Sequence, residues 1–591
     1  MSQNVFSIIT SLRRASGPIE VGDVLLTIQT FSAVGDINRR KLAAGGCIAL
    51  ICSAMRKYAS DSGVQGVGCG VLGDLANHNQ ENRIEITRVH GIDRIISSMQ
   101  SHPQNYWVQQ CACGALGSLA RDNDETKVEI ARLGGLFDIF VAMRLHASDI
   151  RVQRCACRAL MNLAVNDINS NEIISENRGI EIVCHVMRRY PGDAEVQRYC
   201  CGTLMNVAAY FNNSQIIADN DGITQILNAM RAHQNDVQVQ QYSCAVLMDL
   251  ASQLNNNNIF AHVDTFVLIC IAMREHQNDA KIQHYGCGAL MKFAVDQNDS
   301  ERIIAAGGVT VLLGAITNHA SDVNVQTRGC GAVMNLSIHE NNRVPIVEAG
   351  GIPVILSTME GYPTNATIQR YACSTITYLA LNQENRDEIV NQGGIPFILS
   401  AIEQHANDED AQLHGCAALM NLAVNDNNTL RIVEAGGIDV ILAVMERYPR
   451  NIVLQKYACA ALMLVAVTVE YRDQIFNSGG LGFILQVMEN CSYDADVSQY
   501  GCGAIMNLAL NEDIGDLIVV GIGIGFILSA MAANVFHAGV QQNGIGALRN
   551  LAENTIHRIT IVDTIISSIE MPTYGDDIKG HFRAALESVM L

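Results

Sequence analysis

Apolar residues recur at helical spacing along almost the whole chain, interrupted at regular intervals by short polar turns. Val152, Ala156, Leu160 and Leu163, for example, are three or four residues apart and share one face of a predicted helix. Asp149 stands just before them, where a carboxylate accepts hydrogen bonds from the first free N–H groups of a helix. The pattern therefore predicts an almost entirely helical chain in which capped helices begin at a regular interval.

The interval is set by a tandem repeat, Cys-x-Ala-Leu-x-Asn-Leu-Ala with variations, and we number positions in each copy from this anchor cysteine. The anchors are Cys69, Cys113, Cys157, Cys201, Cys244, Cys287, Cys330, Cys373, Cys416, Cys459 and Cys502. They are spaced by 44 residues three times and then by 43 residues seven times. Ile545 continues the series and Leu25 opens a degenerate first copy. A period of this length is typical of stacked structural repeats.

Each repeat is predicted to contain three helices. A Gly-Gly pair such as Gly436-Gly437 follows a short first helix, and glycine there can take the left-handed conformation that ends a helix. A second helix ends near a Met or Ile 14 residues before the anchor, and an Asp or Asn eight residues before the anchor starts the longer third helix.

These motifs resemble the armadillo repeat family, which has three helices per repeat, Gly-Gly-Ile before the second helix and Ala-Leu-x-Asn-Leu in the third. The small residue before Ala-Leu is similar to the beta-catenin and vacuolar armadillo protein branch, whereas the importin-alpha pattern carries a Trp in this helix. The resemblance implies an all-α, right-handed α-α superhelix, an armadillo solenoid of about 12 three-helix repeats of 43–44 residues. We expect an N-terminal cap over 1–24, the solenoid over 25–566 and a C-terminal capping helix within 567–591.

Composition narrows the function. With 39 Lys and Arg against 59 Asp and Glu, the net charge of −20 argues against non-specific binding to nucleic acid or to an anionic membrane surface. Most of the nineteen cysteines are regularly spaced through the helical pattern, which indicates a reducing compartment and hence the cytoplasm, with the cytoskeleton or cilium as the alternative. The apolar stretch Leu517 to Phe536 is long enough to span a bilayer, but it is in register with the repeat and is predicted to be core.

No candidate catalytic or cofactor site emerges. Neighbouring anchor cysteines are expected about a helix diameter apart, too far for disulfides or shared metal ligation, so we interpret them as small core residues. No nucleophile–base pair, metal cluster or phosphate loop recurs, and we predict a protein that is not an enzyme and that needs neither cofactor nor metal.

One polar row stands out on the third helices, five residues after the anchor. We call Asn162, Asn206, Asn335, Asn421, Asn507 and Asn550 the asparagine row. Asparagine is unfavourable in mid-helix, so its repeated use requires a reason. The armadillo resemblance implies that these side chains line a concave groove and hydrogen-bond the backbone of an extended bound peptide. The alternative is a bond to a carbonyl of the neighbouring repeat.

Two further rows lie on the same helix face. Small residues, mostly glycine, follow the anchor directly, which suggests close approach of either a neighbouring helix or a ligand backbone. Arg154, Arg158 and Arg198, together with Asn162 and Asn206, are predicted to form a local basic patch in an acidic protein. This patch is either a solvated helix surface or a seat for an acidic segment of a partner.

The favoured functional prediction is a non-catalytic protein–protein interaction scaffold that binds an extended partner segment along the Asn-lined groove. The alternative is a static structural component of a cytoskeletal or ciliary assembly, held by its edges. A less favoured possibility, which some armadillo proteins suggest, is an exchange factor for a small GTPase. All three hypotheses expect protein partners, no nucleic acid and no membrane insertion; they leave the oligomeric state open.

Overall fold

The computed structural model describes residues 5–591 except 167, 170, 172, 174–177, 211, 212 and 254–263. These residues form α-helices joined by short turns, and the described part of the chain contains no strand. In the described part of the chain, three helices per repeat follow one another from Pro18 onwards, as the sequence predicts. The predicted first helices before Gly179–Arg189 and before Thr265–Glu275 fall wholly or partly outside the described residues.

The helices fall into three classes and a few terminal elements. The first helices are Asp36–Ala44, Gln80–Arg88, Asp124–Arg132, Asn213–Asp219, Gln297–Ala305, Glu340–Glu348, Gln383–Asn391, Asp426–Glu434, Val469–Asn477 and Glu512–Val520. The second helices are Cys47–Lys57, Gly91–Ser101, Gly135–Leu145, Gly179–Arg189, Gly222–Ala232, Thr265–Glu275, Gly308–Asn318, Gly351–Gly361, Gly394–Gln404, Gly437–Arg447, Gly480–Asn490 and Gly523–Ala533. The third helices are Pro18–Ala33, Ser62–Ala76, Tyr106–Leu119, Ile150–Leu163, Ala194–Ala208, Val237–Gln253, Ala280–Phe293, Val323–Ile338, Ala366–Leu379, Glu409–Leu422, Ile452–Val465, Ala495–Leu508 and Ala538–Leu551. Val5–Arg14 precedes the first repeat, and Thr555–Glu570 and Asp576–Met590 follow the last third helix.

The chain divides into two compact units. The first comprises Met1–Asp296 with Ala306–Gly308, and the second comprises Gln297–Ala305 with Val309–Leu591. Within each unit the third helix of one repeat packs on the third helix of the next. This packing gives each unit a continuous surface of third helices, called here the third-helix face.

From Ser62–Ala76 onwards the third helices start at the predicted cap, whereas Pro18–Ala33 follows Gly17 and has no side-chain cap. The Asp193 carboxylate accepts a hydrogen bond from the Val196 N–H at 2.9 Å, and Asn451 does the same for Leu454 at 3.1 Å. His537, which replaces the usual Asp or Asn, still caps its helix, because its Nδ1 accepts from the Val540 N–H at 3.4 Å. These hydrogen bonds confirm the predicted caps. The caps could be predicted from the sequence because donor and acceptor are only three residues apart.

The two glycines of the Gly-Gly pair have different roles. Gly436 has a φ of +85°, the left-handed conformation that ends the first helix, and nothing would contact a Cβ built there. Gly437 begins the second helix, and a Cβ on it would lie 2.7 Å from the Ile432 carbonyl oxygen. In repeats without the first glycine, His90 and Asp221 adopt the same left-handed backbone. The first position of the pair thus requires a residue that can adopt a left-handed backbone. The second position requires a residue without a side chain, because a Cβ there would be too close to Ile432.

The anchor cysteines are core residues, as predicted. All eleven are buried, and all nineteen cysteines of the chain are free thiols. Cys200, which directly precedes an anchor and is not one itself, lies close to an anchor of the preceding repeat: its Sγ is 3.4 Å from the Sγ of Cys157. Cys200 therefore packs between two third helices, a contact that the repeat register alone does not predict.

We expect the native protein to resist thiol reagents. Burial raises the pKa of Cys373 and of Cys459 to about 12, so almost no thiolate is present near pH 8. Only Cys111 and Cys155 are half-exposed. A disulfide reagent such as DTNB should modify at most these two thiols before unfolding and all nineteen in guanidinium chloride. Rapid modification of more than two thiols in the folded protein would contradict the burial described above.

Among the described residues, no single helix is long and apolar enough to cross a membrane. Two bent pairs of consecutive helices pass the same test together, by length and composition only. One of them, Glu512–Val520 with Gly523–Ala533, is bent by 74° and contains most of the apolar stretch from Leu517.

Candidate protein-binding face on the third helices

The asparagine row connects neighbouring repeats. Asn162 donates from Nδ2 to the Gly117 carbonyl at 2.8 Å, and Asn421 donates to the Thr377 carbonyl at 2.9 Å. Asn206, Asn507 and Asn550 make the same bond with the preceding repeat. In each case the acceptor lies four residues after the preceding anchor, or 44–45 residues earlier in the chain. Asn335 has the same register and is buried.

The acceptors are carbonyls in the last turn of a helix. There the regular backbone pattern ends, and a carbonyl can be left without an N–H donor. After the anchor Cys373, the Ala380 N–H bonds Ile376, the Leu381 N–H bonds Tyr378, and the Asn382 N–H bonds Leu379. The carbonyl left out of this set is that of Thr377, and Asn421 supplies its donor. The asparagine row therefore completes the C-terminal hydrogen bonding of the third helices.

The peptide-binding role that the armadillo resemblance implies for these side chains stays a prediction. The position of the Asn162, Asn206, Asn421, Asn507 and Asn550 amide groups is set by the neighbouring repeat, which is the alternative left open by the sequence. The row lies on the third-helix face, but its regular occurrence is explained without a bound peptide.

The small residues after the anchor have a similar explanation. A Cβ built on Gly202 would lie 2.6 Å from Met161 Sδ of the preceding repeat and 3.3 Å from the Tyr242 ring of the following one. On Gly503 it would lie 2.5 Å from Met463 Sδ. Neighbouring side chains, and not a ligand backbone, therefore account for the glycine at these two positions.

Tyr242 belongs to a row that the sequence analysis missed. A tyrosine stands two residues before the anchor in six repeats and is half-exposed in each: Tyr199, Tyr242, Tyr285, Tyr371, Tyr457 and Tyr500. The signal was present in the chain, because the row has the same 43-residue period as the cysteines. Each ring offers an apolar surface and a polar hydroxyl on the third-helix face.

The predicted basic patch is only partly assembled. Arg154 forms ion pairs with Asp193 at 2.5 Å and with Glu195 at 3.2 Å, both in the following repeat. Arg198 pairs with Asp236 at 2.7 Å in the same way. Asn206 is bonded to Met161. Arg154, Arg198 and Asn206 therefore each contact a neighbouring repeat.

A cleft of about 290 Å³ lies in the first unit and brings other cations together. We call it the arginine cleft and define it by His78, Arg121, Arg158, Arg198, Tyr199 and Tyr242. Asn162 also lines it, so the cleft includes three of the nine residues predicted for the site. His78 and Arg121 follow the ends of two successive third helices. They are not on the helix face from which the sequence predicted the site.

The electrostatics of the arginine cleft favour an anion. None of its lining residues, all in the described part of the chain, is acidic. Arg121 is exposed, and the Arg158 guanidinium is half-exposed and donates to the Gly114 carbonyl at 3.3 Å. Burial would raise the pKa of Asp236, but the hydrogen bond from Arg198 holds it below its ordinary value. Asp236 is thus ionised and neutralises Arg198, which leaves Arg121 and Arg158 as the available cations.

The described residues contain no cluster of three or more His, Cys, Asp or Glu side chains able to hold a metal ion. The arginine cleft contains no thiol or carboxylate that could act as a nucleophile or a base. It offers guanidinium groups beside two aromatic rings, and guanidinium groups form strong hydrogen bonds with carboxylate and phosphate oxygens.

Two family models match parts of the chain. The first is described as "LRRK2 ARM repeat" and matches residues 133–345. The second is described as "Protein zer-1 homolog-like, C-terminal domain" and matches residues 271–515. Each covers less than half of the chain, and no curated protein matches it.

Solved structures match over most of the chain. One chain comes from a study of a phosphorylation switch that controls the interaction between cadherin and beta-catenin; the TM-score is 0.69 at 15% identity, covering 86% of this chain and 99% of that one. A crystal structure of an engineered protein matches with a TM-score of 0.60 at 23% identity, covering 71% of this chain and 98% of that one. The fold is therefore an all-α, armadillo-type superhelix, which is generally a protein-binding scaffold.

Proposed function

We propose that this protein is a non-catalytic scaffold that binds an extended, acidic segment of a partner protein along the third-helix face of its first unit. The observation that carries the proposal is the arginine cleft, in which Arg121 and Arg158 are available to an incoming carboxylate or phosphate. Charge-assisted hydrogen bonds from guanidinium groups are about twice as strong as neutral ones. Tyr199 and Tyr242 add flat apolar walls for the neighbouring parts of the segment.

The charge of the protein makes this cleft distinctive. In a chain with a net charge of −20, most of the surface repels an acidic segment, and a local excess of arginine selects where the segment binds. The likeness to a chain from the cadherin and beta-catenin study supports a protein partner by analogy of fold alone. Residence in the cytoplasm, membership of a cytoskeletal or ciliary assembly and nucleotide exchange on a small GTPase stay predictions.

The test is selection from a random library of 16-residue peptides displayed on phage, carried out against the full-length protein. We expect the enriched peptides to be acidic. Their affinity should fall about 10-fold or more in the variant Arg121→Gln with Arg158→Gln, because each lost charge-assisted bond is worth about 1.5–3 kcal/mol. Neither substitution breaks an ion pair described above, so circular dichroism should show an unchanged fold.

A matched control is Arg132→Gln, which removes an arginine of the same unit that is paired with Glu129 outside the cleft. It should leave the affinity unchanged. The proposal is wrong if the enriched peptides are not acidic, or if the arginine-cleft variant and the control bind them equally well.

A further inference from the structure

The second unit exposes a regular row of large apolar side chains eight residues after the anchor. We call Ile338, Leu381, Val424, Val467 and Leu510 the edge row. Their exposed fractions are 39%, 47%, 54%, 54% and 48%, and they come from five consecutive repeats. Single exposed apolar residues are normal on a protein surface, but a row in one register forms a continuous apolar strip.

The backbone beneath the edge row is held in place. The Arg386 guanidinium, in the first helix that follows, donates to the carbonyls of Ala380 at 2.7 Å and of Leu381 at 3.4 Å. Arg472 donates to Ala466 and Val467 in the same way, at 2.9 Å and 2.8 Å. At Leu381 and Val467 the edge row thus projects from backbone whose carbonyl groups are already bonded, and the Ile338 carbonyl is bonded by Arg343 in the same way at 3.1 Å.

An exposed carboxylate accompanies each member of the edge row, two or three residues further along the chain. These carboxylates are Glu340, Glu384, Asp426, Glu470 and Glu512, each in the first turn of a first helix. Among the ion pairs of the described residues, none includes any of the five. The surface therefore combines an apolar strip with a parallel strip of unpaired negative charge, called here the edge surface.

We propose that the edge surface docks a basic amphipathic helix of a partner protein. Consecutive packed helices lie about 8–10 Å apart, and seven residues of an α-helix advance about 10.5 Å. A partner helix with an apolar residue at every seventh position, flanked by Lys or Arg, would therefore place one apolar and one basic residue opposite each repeat. A helix also satisfies its own peptide groups, whereas an extended segment would bring unpaired ones onto an apolar strip in which the Ile338, Leu381 and Val467 carbonyls are occupied.

The charge of the edge surface discriminates between occupants. A second copy of this chain would oppose carboxylates to carboxylates across the same surface, and an anionic membrane would be repelled by them. The edge surface lies on the second unit and is acidic, whereas the arginine cleft lies on the first unit and is basic. The two surfaces therefore select different partner segments, and this inference does not depend on the proposed function.

The experiment measures binding of a fluorescein-labelled designed helix to the full-length protein by fluorescence anisotropy. The probe has about 30 residues, with leucine at every seventh position, lysine beside each leucine and alanine elsewhere. We expect saturable binding that weakens with added salt. A second probe with glutamate in place of lysine should bind at least 10-fold more weakly.

Two variants test the edge surface independently. Leu381→Ser, Val424→Ser and Val467→Ser together remove the apolar strip, while Glu384→Lys, Asp426→Lys and Glu470→Lys together reverse the charge. Each should weaken binding of the lysine probe at least 10-fold, and because all six side chains are exposed, the fold should be preserved. The control Ile452→Ser with Val453→Ser changes equally exposed apolar residues at the opposite end of a third helix and should have no effect.

The cleft variant Arg121→Gln with Arg158→Gln should bind the lysine probe normally, which separates this inference from the proposed function. The proposal is overturned if the edge-row variant binds the lysine probe as the wild type does. It is also overturned if the glutamate probe binds equally well. Self-association, or binding to phosphatidylserine vesicles, that disappears in the edge-row variant would assign the surface to a second copy or to a membrane instead.

Discussion

Replacing Asn162, Asn206, Asn421 and Asn507 together with alanine is expected to destabilise the protein strongly. Each substitution leaves a last-turn carbonyl of the preceding repeat without its donor. An unpaired polar group costs about 1–3 kcal/mol when it is fully buried, and we expect the lower end of that range for these partly buried bonds. The four sites are in different repeats, so their costs should nearly add. Guanidinium chloride unfolding followed by circular dichroism should show the loss as a lower midpoint.

Single substitutions identify the cause. Asn421→Asp preserves the size of the side chain but places a carboxylate against the Thr377 carbonyl, so it should destabilise more than Asn421→Ala. The control is Asn228→Ala, because Asn228 is exposed and accepts a hydrogen bond from the Arg231 side chain in its own helix. If Asn421→Ala unfolds at the same denaturant concentration as Asn228→Ala, the bond between repeats does not contribute to stability.

This prediction also affects how binding experiments are interpreted. Loss of a partner from the four-site alanine variant would reflect a weakened stack as much as a missing contact. Arg121 and Arg158 are better probes of recognition, since neither forms an ion pair among the described residues.

The second large effect is expected at the Gly-Gly pair, where the same substitution should have opposite outcomes at adjacent positions. Gly437→Asn brings a Cβ within 2.7 Å of the Ile432 carbonyl oxygen, and overpacking of this kind costs about 3 kcal/mol. Gly436→Asn meets no atom and requires only the left-handed backbone, which asparagine tolerates, so its cost should stay below about 1 kcal/mol.

Thermal unfolding of the two variants in parallel measures the difference. His90 and Asp221, which occupy the first position in other repeats, already indicate that it accepts a side chain. Equal melting temperatures for Gly436→Asn and Gly437→Asn would show that the close approach of Ile432 is relieved by a small backbone shift.

Much of the fold could be predicted from the sequence because its signals are local. Asp193 caps a helix through an N–H three residues away, and Gly436 ends one through its own φ angle. The buried anchor cysteines follow from helical periodicity within one repeat. Because the repeats share a fixed period, each local prediction made for one repeat applied to the others as well.

The candidate site was predicted less well, because its residues meet across repeats. The sequence placed Arg154, Arg158 and Arg198 on one helix face, but it could not show that Arg154 and Arg198 meet carboxylates 38–39 residues later. Nor could it show that Arg121 and His78 approach Tyr242 in the arginine cleft. Periodicity reveals which face of a helix a residue lies on. It does not reveal which residue of the neighbouring repeat it contacts.

The sequence by itself therefore determined the repeat, the three helices with their caps and the buried core, since each depends on residues a few positions apart. Only the tertiary structure decided the role of the polar rows. Asn421 reaches Thr377, 44 residues earlier, because neighbouring third helices pack in register and leave one carbonyl without a backbone donor. The same stacking pairs Arg154 with Asp193, leaves Arg158 available and exposes the edge row along the second unit.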